Sequence, residues 1–350
     1  MIRAADRAEE AIPALSIAPM MNRTDRHFRR FFRAISRHAL LYTEMLTAGA
    51  VLHGDRDRLL GHDPAERPLA LQVGGDDPRA LARCAAIAAE RGFDEINLNV
   101  GCPSDRVQKG CFGAVLMARP GRVAEIVAAM RAASPLPVTV KHRLGIDDQD
   151  EWTDLLRFVD VVARAGCDRF VVHARKAWLA GLSPAENRSV PPLRRDLVHR
   201  LARERPALRF VVNGGIRSLG EVLAELRHVP SVMVGRAAWE DPFAFAAADR
   251  VLFGDAGPLP TRRTVLERVR DLLAEERDSV TRPLAVVRPL MNLARGVPGG
   301  RRFRRMLGER AAAGDRADAA IEAAIRVLPE GVLDEPPAVP DREDTTRIPG

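Results

Sequence analysis

The chain has 350 residues, 46% of them apolar and 29% charged, with a formal net charge of +7 and a pI near 10. That length gives room for one large domain and a smaller one, and the composition is that of an ordinary globular protein rather than a disordered or fibrous chain. The apolar runs are broken by Arg, Asp or Gly well short of the ~18 residues of a membrane helix, and acids in residues 1–10, where a signal peptide would have its apolar core, point to a cytoplasmic protein off the membrane.

After a polar arm over residues 1–14, Leu15-Ser16-Ile17-Ala18-Pro19 reads as a short buried strand, and a helix is expected to begin near Thr24 or Asp25. Seven more short apolar runs follow, at residues 40–44, 69–73, 96–100, 138–141, 170–173, 210–213 and 232–234. Helix-like segments fill most of the intervals, at 79–91, 122–133, 152–165, 194–204 and 219–226. Eight alternations of this kind predict a parallel sheet covered by helices, and their span suits a (β/α)8 barrel, the TIM barrel. An open doubly wound sheet shares the same periodicity. What favours the barrel is that polar residues collect where the strands end: Glu44, Gln72, Asn99 with Cys102, Lys141, His173, Asn213 and the Gly235-Arg236 pair. Barrel enzymes place their chemistry at that rim.

Gly and Pro at residues 253–260 mark a hinge, so residues 15–256 are expected to form the barrel and 257–328 a smaller all-helical domain. Between residues 262 and 310 there are thirteen Arg against six Asp or Glu, a local net charge of +7 that equals the charge of the whole molecule. Such a concentration suits a polyanionic partner. From Pro329 to Gly350, Pro, Asp, Glu and Thr dominate, which predicts a disordered tail.

The stretch at residues 93–117 carries the sharpest chemical signal. Alternating apolar and polar residues lead to Gly101-Cys102-Pro103, a turn that cannot continue a ladder, so a thiol is held at a strand's end. A free cysteine is often just a small buried residue; here Pro103 stops the strand and Gly101 allows close approach, which presents the thiol. No Lys or Arg lies within three residues on either side to stabilise a thiolate, a setting for an acid rather than a nucleophile. Asn97 and Asn99 share a face and are expected in a polar mouth, because unpaired amides in a core are costly. The four cysteines (Cys84, Cys102, Cys111, Cys167) form no CxxC pair, so free thiols and no metal site are expected.

Asn213-Gly214-Gly215 after the seventh strand and Gly235-Arg236 after the eighth are either two ordinary turns or, as their pairing with an Arg favours, a phosphate site. Neither a GxGxxG nor a P-loop sequence occurs. Lys141 is either a surface lysine just past its strand or a buried cation in need of an anion; in a flavin site it could face the N1/C2=O edge of the ring. His173 is a core histidine or, as its place on the same rim favours, a functional one.

These segments, Asn-Leu-Asn-Val-Gly-Cys-Pro-Ser-Asp-Arg-Val-Gln at 97–108, Phe-Gly-Ala at 112–114, Leu-Met at 116–117, and the longer run of residues 173–179, 181–184 and 186–188, resemble the tRNA-dihydrouridine synthases in their DusA form, over about residues 16–254. The resemblance implies an FMN enzyme with NADPH as reductant, a TIM barrel followed by a helical domain that grips tRNA, and reduction of uridine in the D-loop, at positions 20 and 20a. Taken residue by residue, it assigns Pro19, Met20, Met21, Gln72, Lys141, His173, Asn213, Gly214, Gly215, Gly235 and Arg236 to the flavin, Cys102 to proton donation, and Asn99, Arg188, Arg301 and Arg304 to tRNA. A monomer is expected. Departures from the family pattern are Val115 in place of a cysteine, Ala185 in place of a basic residue, and Pro289, Asn292 and Ala294 ahead of the recognisable stretch 296–305. Two alternatives remain at this stage, an FMN dehydrogenase of a free dihydropyrimidine and a non-catalytic tRNA-binding protein.

Overall fold

Alternation along the strands sorts side chains onto two faces, and that sorting shapes the sheet. The computed structural model describes residues 12–167, 169–275 and 282–340. Its strands are β1 (Leu15–Ile17), β2 (Leu40–Tyr42), β3 (Leu46–Thr47), β4 (Leu69–Gly74), β5 (Glu95–Val100), β6 (Val138–Arg143), β7 (Arg169–His173), β8 (Arg209–Asn213) and β9 (Ser231–Val234). All pairings are parallel, and the order β2-β1-β9-β8-β7-β6-β5-β4 is closed by β2 on β4 through Leu41↔Leu69 and Tyr42↔Ala70. The result is an eight-stranded barrel, not an open sheet. The two-residue β3, which the sequence did not announce, adds only a fringe on β4.

The covering helices start where local chemistry allows. Asp25 caps Arg26–Ile35 by accepting from the Phe28 amide at 2.9 Å, and Ser218 caps Leu219–Glu225. Pro78–Glu90 and Pro120–Ala133 open on a proline, whose fixed φ suits the first helical turn. Trp152–Arg164 and Arg195–Glu204 complete the set around β6 to β8.

Outward-facing residues of the strands, among them Ile96, Leu98, Val140, Phe170, Val172, Phe210 and Val232, join the helices in one continuous apolar core. The lumen holds only a small separate apolar cluster, built from Ala18, Leu40, Tyr42, Ala70, Val171, Val211 and Met233. Polar residues fill the rest of it. Glu95 is 2% exposed, pairs with Arg169 and accepts from the Tyr42 hydroxyl at 2.6 Å. Asn97, expected at the mouth beside Asn99, lies fully buried in the lumen, where Gln72 donates to it and it donates to Thr139, both at 2.8 Å. A buried amide is tolerated there because both its ends are satisfied.

Beyond the barrel, helices at Arg262–Glu275, Pro283–Val287, Gly300–Ala312 and Ala317–Ile325 pack around Leu290, Phe303, Leu307 and Ile321. The expected disorder from Pro329 onward is corrected as far as Pro340. A helix at Glu330–Leu333 docks with Leu333 1% exposed. The acids that read as solvated are paired: Arg262 reaches the Val332 carbonyl at 3.3 Å and Glu335 at 3.2 Å, and Arg263 reaches Asp334 at 2.7 Å and also Glu330. Composition alone cannot see partners about seventy residues upstream. Residues 1–11 of the expected arm and 341–350 of the expected tail lie outside the described residues. Among the described residues no helix is long and apolar enough to cross a membrane.

Leu333→Ala should therefore lower the unfolding free energy by about 2–4 kcal/mol in a urea titration. A change indistinguishable from that of an exposed-residue substitution would show that this segment does not dock.

Candidate active site

Parallel closure brings every strand's C-terminal end to one rim, and on β6 the alternation that buries Thr139 places Lys141 and Arg143 on the same inner face. Lys141 Nζ donates to Asn213 Oδ1 at 3.0 Å, and Asn213 in turn donates to the Met233 carbonyl at 2.8 Å. Burial pushes the Lys141 ammonium from its ordinary 10.5 down to about 7; Arg143 pushes the same way and Cys102 opposes. His173, in register with Asn213, is held well below the usual imidazole range by burial first and then by Arg143 and Lys141. It is therefore a neutral ring at neutral pH. No carboxylate pairs with Lys141, Arg143, Arg188 or Arg236 among the described residues, which leaves room for an anion.

The thiol is held by its own turn. Asn99 Oδ1 accepts from the Gly101 amide at 3.1 Å and from the Cys102 amide at 3.0 Å, while Asn99 Nδ2 donates to Gln72 Oε1 at 2.8 Å. From below, the Ala114 amide donates to the Cys102 carbonyl at 2.9 Å. This contact requires Gly113, which has φ +75° and where an added Cβ would come within 2.6 Å of that carbonyl. Cys102 is half-buried, with Ser104 Oγ 3.4 Å from its sulfur. The sequence found no cation near Cys102, but the fold brings Lys141, Arg143 and Arg188 within electrostatic reach of it.

Gly214 and Gly215 have φ of +123° and +72°, and side chains there would strike His173 and Leu193. The backbone of this turn lies beside the His173 ring, whereas Gly235 is open, its nearest neighbour being Ala18 Cβ at 3.9 Å from an added Cβ. Arg236 follows at the start of a short helix and is exposed, close enough to Arg175 and Arg188 to disfavour their charge. Pro19 and Met20 are half-buried just past β1, where Thr24 braces the turn by exchanging hydrogen bonds with Met20. Met21 is 57% exposed. Gln72 is buried beneath the rim, with its amide nitrogen donating to Asn97 and its amide oxygen accepting from Asn99.

The residues expected to meet tRNA divide into two groups. Asn99 and the exposed Arg188 sit at the rim. Arg301 and Arg304 lie on Gly300–Ala312 in the helical region, away from the strand ends, and with Arg302 they have no carboxylate partner among the described residues. Ala185 is exposed at the start of the turn that carries Arg188. A trio of possible metal ligands, His38, Asp249 and Asp255, stands before β2, at the opposite end of the barrel, and Arg37 already engages both acids.

Three residues that organise the site escaped the sequence reading. Arg143, 3% exposed, donates to the Gly101 carbonyl at 2.9 Å, to Lys176 at 3.0 Å and to Asn187 at 2.8 Å, so one guanidinium ties the Cys102 turn to the loop after β7. Gln108 repeats the tie through Pro103 at 2.8 Å and Leu179 at 2.7 Å. Asn187 knits that loop internally, accepting from the Trp178 amide at 2.8 Å and donating to its carbonyl at 2.9 Å. The period-two run Thr139, Lys141, Arg143 was the available signal for the first; the other two depend on folded loops.

With this geometry established, comparison with known proteins is specific. The family model described as dihydrouridine synthase matches residues 16–328. A tRNA-dihydrouridine(20/20a) synthase of Synechocystis is 53% identical over 302 residues, covering 86% of this chain and 90% of that protein. Proteins of the same name from Shewanella oneidensis and Xanthomonas axonopodis are 51% and 53% identical over 85% and 84% of this chain, and over 88% of each relative.

Lys141 also sets a pH dependence. The unfolded chain keeps its proton up to the ordinary 10.5 and the folded ligand-free protein loses it near 7, so between those values the unfolded state binds more protons and stability rises with pH. Thermal unfolding of the ligand-free protein across that window should show this rise, and Lys141→Met should remove it. An unchanged slope in Lys141→Met would rule Lys141 out as its source.

Proposed function

The chain belongs to the dihydrouridine synthase family, and from that premise we propose that it is an FMN enzyme, reduced by NADPH, that converts uridine to 5,6-dihydrouridine at positions 20 and 20a in the D-loop of tRNA in the cytoplasm. The observation that carries this reading is the pairing of a presented thiol, Cys102, with a desolvated Lys141–Asn213 pair across one rim.

The residues present fit FMN. Its phosphate would take the glycine turns and Arg236, where an added Cβ at Gly235 would enter open space, and its ring would lie near Lys141, His173 and Gln72, with Pro19, Met20 and Met21 beside it. When bound, the flavin supplies the hydride that reaches C6 of uracil. Cys102 holds the proton destined for C5. As that proton leaves, the charge on sulfur faces Lys141, Arg143 and Arg188, which favours transfer to the base. Asn99 fixes the turn so that the thiol starts in place.

The uridine must leave its stack to reach the rim, which is least costly in a loop. Arg188 at the rim and Arg301 and Arg304 on the helical region would hold the phosphates on either side. The concentrated basic segment favours this over a free pyrimidine, which needs no second body of like charge.

Cys102→Ala should keep FMN and NADPH oxidation but lose about 10² to 10⁴ in dihydrouridine formation, measured by mass mapping of tRNA. Undiminished product would remove the thiol from the chemistry. Replacing Arg301 and Arg304 together with Ala should weaken tRNA binding and reduce the steepness of log affinity against log salt by about 0.7 to 0.9 per lost phosphate contact. An unaltered slope would place the RNA elsewhere.

A further inference from the structure

Glu95 is a buried acid at the N-terminal end of β5, too deep in the lumen to meet a substrate at the rim. Paired with Arg169, it offers oxygens that only accept. The Tyr42 hydroxyl donates to Oε1 at 2.6 Å, and the Thr139 hydroxyl donates to the same atom. Having given its one proton to Glu95, Thr139 Oγ1 can only accept from Asn97, and Asn97 Nδ2 donates to it at 2.8 Å. That commits Asn97 Oδ1 to face Gln72 Nε2 at 2.8 Å, and Gln72 Oε1 to face Asn99 Nδ2 at 2.8 Å. Asn99 is left with its oxygen toward the Gly101 and Cys102 amides.

We propose that Glu95 is a positioning residue for Cys102, acting through this one-way hydrogen-bonded chain of Thr139, Asn97, Gln72 and Asn99. Each carboxamide has a donor end and an acceptor end, so turning one over sets donor against donor at one of its contacts and acceptor against acceptor at the other. Glu95 at the floor can only accept and the Gly101 and Cys102 amides at the rim can only donate, so both ends demand one direction, and losing the floor acceptor leaves the chain oriented from the rim end alone. If it reverses, Asn99 presents an NH2 group to two backbone amides and the turn holding the thiol loses its acceptor. The same chain sets which atoms of Gln72 are left for a ligand at the rim. The proposal rests on the reading of Cys102 as proton donor, but its structural arm can be tested without that reading.

The test compares Thr139→Val, which keeps the shape and removes the hydroxyl, with Thr139→Ser, which restores it. In flavin-free protein, alkylation of Cys102 by iodoacetamide is followed by mass spectrometry with exposed Cys111 as internal reference. Thr139→Val should change the Cys102 rate several-fold and leave Cys111 alone, and Thr139→Ser should behave as wild type. In the complete enzyme, turnover of tRNA should fall about 10- to 100-fold in Thr139→Val with little change in KM, and recover in Thr139→Ser. A Thr139→Val protein that melts earlier but keeps both the alkylation ratio and turnover would overturn the proposal by showing a merely structural threonine. Wild-type protein that makes no dihydrouridine would instead defeat the functional reading, and the alkylation arm would still decide the chain. Should Thr139→Val not fold, side-chain amide exchange in wild type decides: slow exchange at Asn97, Gln72 and Asn99 supports a continuous chain, and fast exchange at any of them breaks it.

Discussion

Positive charge gathered at the mouth of a parallel barrel, with no carboxylate paired to Lys141, Arg143 or Arg188 among the described residues, is the constraint from which the site follows. Lys141, Arg143 and Arg188 all feel Cys102, Arg143 feels Arg188 and Lys141 feels Arg143, and burial makes Lys141 and Arg143 less willing to be charged. A folded chain tolerates this only where other groups solvate the cations. Arg143 is solvated by three carbonyls, which makes it a brace for two loops. Lys141 has a single amide oxygen, from Asn213, and so keeps unspent capacity for an anion. The neutrality of His173 follows from burial first and then from the same cations, because one more charge in that space would be repelled by all of them.

The barrel makes this arrangement possible by inverting the usual sense of inside. Its apolar core lies between strands and helices, while the lumen is lined in good part by Glu95, Arg169, Thr139, Asn97 and Gln72. Stability is thus supplied mostly by the outer shell, which leaves the lumen free to carry orientation. The price is that every polar group there must find a partner, and the partners come from strands 25 to 74 residues away in sequence.

That separation explains what could be read in advance. The eight strands and their helices were legible because each declares itself locally, through period, caps and prolines. The positions of Cys102, Lys141, His173 and the glycine turns were legible too, since each lies at or within two residues of a strand's C-terminal end. Asn97 was misplaced because alternation tells which face a residue takes and not how deep it sits. Arg143 and Gln108 were missed because their work is done on carbonyls of distant loops. The segment after Pro329 read as disordered because its acids meet Arg262 and Arg263 only in the folded state.

The link between rim and helical region follows from the same local economy. The short helix Arg236–Glu240 begins at the exposed Arg236, proposed above to hold a phosphate, and ends at Trp239 and Glu240, which meet the helical region. Asn292, one of the departures from the family pattern, donates to the Trp239 carbonyl at 2.9 Å, and Arg295 to that of Glu240 at 3.1 Å. Arg23 and Arg288 lie over the Trp239 ring at 5.9 and 5.5 Å, and Phe28 packs against it at 5.5 Å. A single turn of helix therefore connects Arg236 to the seam on which the basic helices are mounted. Because that turn is too short to bend independently, the spacing between the rim and the arginines of Gly300–Ala312 is set by packing at Trp239, and a substitution at Asn292 alters the seam without touching either charged surface.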